Sequence, residues 1–71
     1  MSAKIMTLMI NGNEMEIPEG ETITDFLSRH NLQPKSVVVE LNGVIIEREK
    51  YGEVALKEGD AVEIVRFIGG G

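Results

Sequence analysis

The chain has 71 residues, a formal net charge of −5 and no cysteine. A single domain of this length buries only about 60% of the surface its unfolded chain exposes, so the core is small. The composition excludes disulfides, thiolate metal sites and cysteine nucleophiles. Acidic residues spread along the chain, without a basic patch, point away from nucleic acid and suit solubility or a basic protein partner.

Met6, Leu8 and Ile10 alternate with Thr7 and Met9, and beyond Asn11, Gly12 and Asn13 the alternation resumes with Met15 and Ile17. Asn-Gly between two alternating runs predicts a β-hairpin, with Thr7, Met9, Glu14 and Glu16 on the outer side. Pro18, Glu19 and Gly20 break the pattern. Thr22 and Asp25 have capping-box spacing, and Ile23, Phe26, Leu27 and His30 follow at helical spacing, which predicts about two turns of amphipathic helix ending near Asn31.

Val37, Val39 and Leu41 alternate before Asn42 and Gly43, and a short apolar run over 44–46 gives a brief fourth strand. The charged stretch over 47–51 reads as an irregular or single-turn connector, and Glu58, Gly59 and Asp60 as a tight turn. A last strand is expected over 61–67. This order predicts an α+β fold, a β-grasp roll with a mixed sheet of four to five strands and one helix on one face. Its first and last strands lie parallel at the sheet centre. The division expected is a β-grasp domain over 1–68 and a glycine tail over 69–71.

One helix covers one sheet face, so residues of the other parity meet water or a partner. Met9, Val38, Val65 and Phe67 fall on that open face and would form an apolar docking patch beside the C-terminal end, continued by Ile68. In the competing reading Val65 and Phe67 curl around the edge and complete the core. Arg66 takes the helix-side parity. No internal catalytic set is legible: His30 has no nucleophile partner and reads as a surface or boundary residue, and singly scattered glycines build no phosphate-binding loop.

Gly69, Gly70 and Gly71 follow the last strand directly. Glycine contributes no side chain to packing and is costly to order. Residues 68–71, fully extended, span on the order of 13 Å, enough to enter another protein's active site. A terminal carboxylate is ionised at neutral pH and is a poor electrophile. Attack on the α-phosphate of ATP held by a partner would convert it to an acyl adenylate open to a sulfur or nitrogen nucleophile.

The run over 6–12, the strand over 37–42 with Ile45, Ile46 and Arg48 after it, and above all the ending over 62–71 resemble the ThiS family of sulfur carriers among the ubiquitin-like β-grasp proteins. Residues 1–5 extend beyond the usual family start. The resemblance implies a non-enzymatic carrier of thiamine biosynthesis without a cofactor of its own, ATP and Mg being used by the partner. Gly71 would be adenylated by a ThiF-type adenylyltransferase and converted to a thiocarboxylate, with Gly70 and Gly71 as the functional dipeptide. Sulfur would come from a cysteine desulfurase system and pass to the thiazole synthase ThiG. A carrier of the molybdopterin-synthase small-subunit type and a ubiquitin-like protein modifier share the paired glycines and remain alternatives. No run approaches the roughly 18 apolar residues of a membrane span, and residues 1–4 show no leader-like stretch, so the expected location is the cytoplasm.

Overall fold

The structure, a computed structural model, describes residues 4–67. The tail glycines and Ile68 lie outside the described residues, as does the boundary expected after residue 68. Strands β1 (Ile5–Ile10) and β2 (Asn13–Pro18) form the predicted antiparallel hairpin, with Ile10 paired to Asn13 across the turn. Asn11 and Gly12 both take positive φ, 52° and 85°. This mirror-image turn matches the twist of the flanking strands, and asparagine and glycine tolerate it best.

Helix α1 (Ile23–Arg29) begins with the predicted capping box: Thr22 Oγ1 accepts from the Asp25 N–H and Asp25 Oδ2 accepts from the Thr22 N–H, each at 3.1 Å. Two turns are too short to be stable alone, so α1 depends on these caps and on burying Ile23, Phe26 and Leu27. It stops at Asn31, which enters the left-handed region at φ 58°. There the Leu32 N–H donates to Leu27 C=O at 2.8 Å and the Asn31 N–H to Ser28 C=O at 3.2 Å, satisfying the last carbonyls.

A single 3₁₀ turn at Pro34–Ser36, not anticipated from the sequence, leads into β3 (Val37–Leu41). A second Asn-Gly turn, with Asn42 at φ 52° and Gly43 at φ 86°, returns the chain into β4 (Val44–Ile45). The charged connector contains one 3₁₀ turn at Arg48–Lys50. Strand β5 (Ala61–Arg66) ends one residue short of the expected limit, although the Phe67 N–H still donates to Ser36 C=O at 3.1 Å.

The sheet order is β2-β1-β5-β3-β4, with β5 parallel to β1 and antiparallel to β3. The helix covers one face, and between them lies one core containing Met6, Leu8, Ile10, Ile17, Val37, Val39 and Val62 with the helix residues. Tyr51 and Leu56 from the long connector close this core, a contribution the alternation of the strands does not reveal. Each fully buried aliphatic side chain, such as Leu8 or Leu27, contributes roughly 1.5–3 kcal/mol. Among the described residues no helix is long and apolar enough to cross a membrane.

Candidate functional site

β5 carries the chain up the middle of the sheet to the residues that precede the glycines, and two asparagine side chains fasten it from opposite sides. From the first turn, Asn11 Oδ1 accepts from the Ile64 N–H at 2.8 Å and Asn11 Nδ2 donates to Ile64 C=O at 3.3 Å. From the second, Asn42 Oδ1 accepts from the Ala61 N–H at 2.9 Å and Asn42 Nδ2 donates to Asp60 Oδ1 at 3.0 Å. The residues that make the turns therefore also anchor the strand between them. Turn chemistry alone identified Asn11 and Asn42 as turn formers and gave no sign of this second role.

On the open face, Val38 stands directly opposite Val65, and Phe67 lies two residues further on, just past the end of β5. Val65 and Phe67 are 59% and 43% exposed, so they do not complete the core. Ile45, 63% exposed, extends the patch on the far side of Val38, since its partner is Glu40 and the two share a face. The sequence reading missed Ile45 because residues 44–46 do not alternate. The signal was available in the two-residue Asn-Gly turn, which pairs Leu41 with Val44 and Glu40 with Ile45.

Met9 does not join this patch as expected. The parallel register sets it opposite Ala61, four residues before Val65 and thus about 13 Å away along the strand, with Glu63 between. Parity placed Met9 on the correct face. Only the register between β1 and β5 says where on that face it falls. Next to Val38 and Val65, Glu40 and Glu63 are direct cross-strand partners on the same face. Like charges so placed weaken the isolated sheet, and a cation supplied from outside would relieve them.

Away from this face, His30 caps the end of α1, exposed, with its ring 4.2 Å from that of Phe26. Among the described residues no group of histidines and carboxylates could hold a metal ion. Among the described residues the buried charge is Glu21, whose carboxylate accepts from Arg29 Nε at 2.7 Å and Nη2 at 3.2 Å. These hydrogen bonds raise the Arg29 pKa above its ordinary value. With the folded value the higher one, the shift contributes stability at neutral pH that is lost as strong alkali passes it. The pair braces the helix and does not face the open sheet.

A small mixed sheet with parallel neighbouring strands β1 and β5, one crossing helix and a last strand that ends beside an open apolar face defines a ubiquitin-like β-grasp protein. A sequence model of the ThiS family matches residues 5–71. The sulfur carrier protein ThiS of Bacillus subtilis is 43% identical over 65 residues, covering 90% of this chain and 98% of that one. The crystal structure of the thiamine biosynthesis protein ThiS from Geobacter metallireducens superposes with a TM-score of 0.80 at 40% identity, covering 93% of this chain and all of that one. A thiazole synthase of Paramagnetospirillum magneticum is 39% identical over 66 residues, and the chain spans only 20% of that protein's length. The chain belongs to the ThiS family.

Proposed function

We propose that this protein is the sulfur carrier of thiamine biosynthesis, a cosubstrate with no catalytic activity of its own. Membership of the ThiS family across residues 5–71 carries the reading. A central, doubly anchored last strand that ends beside an exposed apolar patch supports it. In the first step a Gly71 carboxylate oxygen attacks the α-phosphorus of ATP bound to a ThiF-type adenylyltransferase, forming an acyl adenylate and releasing pyrophosphate. A sulfur nucleophile derived from cysteine through a desulfurase then attacks the same carbonyl and displaces AMP. That nucleophile is a persulfide on the donor, so the product is an acyl disulfide; a thiol then cleaves its S–S bond, leaving a thiocarboxylate and a disulfide between the thiol and the donor.

The open face around Val38, Val65 and Phe67, with Ile45, is the surface on which the adenylating enzyme docks. The Glu40 and Glu63 pair suits a basic group on that enzyme. Because Gly69 to Gly71 have no Cβ, they can pass a narrow channel and leave the last carbonyl unhindered. The similarity to a thiazole synthase over this chain's length favours a thiazole synthase of the ThiG kind as the sulfur acceptor.

Intact mass measured after incubation with ATP, a sulfur source and the adenylating enzyme tests the proposal. The expected change is the gain from replacing one oxygen by sulfur. An unchanged mass with an enzyme that releases pyrophosphate on other carriers would overturn it, and covalent ladders on other proteins would show a modifier instead.

A further inference from the structure

The hydrogen bonds of β5 assign each of its residues to one neighbour or the other. The Phe67 N–H donates to Ser36 C=O and the Asn42 N–H to Ala61 C=O, so the odd-numbered residues face β3. The Met9 N–H donates to Asp60 C=O and the Asn11 N–H to Val62 C=O, so the even-numbered residues face β1. On that side the strand pairing ends at Ile10 and Val62. One more rung comes from a side chain, the Asn11 amide, which occupies both the N–H and the C=O of Ile64. Arg66 is next in the alternation. Its N–H and C=O point past the hairpin turn, where no described strand continues the sheet.

We infer that this rung opens a pairing edge at the base of the tail, and that an extended strand of the tail-activating enzyme adds there, in line with β1. The inference rests on the carrier reading. Two independent features beside the edge describe the occupant. On the helix side lies a shallow cavity of about 240 Å³, lined by Met15, Phe26, Leu32 and Ile64 together with His30 and Arg66. Among the described residues the ion pairs are Glu21 with Arg29 and Lys50 with Glu53, so the Arg66 charge is uncommitted in a chain of net charge −5. The added strand therefore presents an apolar side chain to the cavity and a carboxylate to Arg66. Main-chain bonds supply affinity in such additions and alternate side chains supply selectivity. The pairing also holds the chain beyond Arg66 extended, in the direction that an active-site channel requires.

Total chemical synthesis gives the full chain with a methyl group on the Arg66 backbone nitrogen, which removes the donor and leaves the side chain unchanged. Binding to the adenylating enzyme and thiocarboxylate formation with ATP are measured beside the unmodified synthetic protein. The expected result is an unchanged melting temperature with enzyme binding weakened roughly 3–10-fold, the effect of one lost hydrogen bond. In the unmodified protein, hydrogen exchange at the Arg66 amide should slow when the enzyme is added. Equal binding by both proteins, or an Arg66 amide whose exchange the enzyme leaves unchanged, overturns the inference. A lowered melting temperature does so too, since the N–H would then serve the fold. Conversion of the unmodified protein is scored in the same assay: its absence refutes the carrier reading, whereas conversion and binding that the methyl group leaves unaltered refute the strand addition alone.

Discussion

Glu21 and Arg29 form a two-pronged ion pair in which the Glu21 side chain is 6% exposed and the Arg29 side chain 47%. The asymmetry sets the outcome of breaking it. Arg29→Met leaves a buried carboxylate without its cation, whereas Glu21→Gln leaves a guanidinium that water can solvate and an amide oxygen that still accepts. Thermal melts should therefore rank Arg29→Met as clearly the more damaging, with the double variant more stable than Arg29→Met alone. Equal losses for the two single variants would show that the pair acts only as surface packing.

Removing Gly71 separates the fold from the proposed chemistry. Thiocarboxylate formation should fall below detection, while the melting temperature stays within about 2 °C of the full chain, because a residue without a side chain buries no apolar area. Mass spectrometry and differential scanning calorimetry on the same preparation decide it. A large drop in melting temperature would make the last residue structural.

Phe67 tests the open face. Its side chain is substantially exposed, so Phe67→Ala should cost less than about 1 kcal/mol of stability, well under the roughly 3–5 kcal/mol of a core phenylalanine. Its effect belongs in weaker binding to the adenylating enzyme, measured by calorimetric titration. Leu27→Ala is the control: fully buried, it should cost about 2–5 kcal/mol.

The facing carboxylates of Glu40 and Glu63 lead to an opposed pair of effects. Glu63→Thr removes a like-charge cross-strand pair and introduces a good strand former, which should raise stability by about 0.2–1 kcal/mol in denaturant titration. At low salt the same change should slow association with a basic partner, and the difference should fade as salt screens the charges. A variant that is more stable and binds equally fast at all salt concentrations would remove the pair from the interface.

The sequence made the elements legible where local chemistry decides them. The two Asn-Gly turns, the Thr22–Asp25 box and the alternation around Leu8, Val39 and Val62 each report a short-range constraint, and the structure reproduces them. What remained hidden depends on how distant segments come to rest. Met9 was placed on the correct face but at the wrong position, because strand register is a long-range quantity. The bidentate grip of Asn11 on Ile64 spans 53 residues and leaves no local trace. Tyr51 and Leu56 sit in a connector whose charged neighbours mask their burial. Glu21 read as one acid among many, since nothing short of the folded helix brings Arg29 over it.

The position of β5 between β1 and β3 also governs the order in which the molecule assembles during synthesis. Strand pairing in the sheet of a growing chain is confined to the two hairpins until residues 61–66 emerge, for every remaining sheet contact waits on that strand. A polypeptide terminated upstream of β5 has no centre to close around and is left to proteolysis. Abortive products of translation are thereby kept from the folded state that the complete chain reaches.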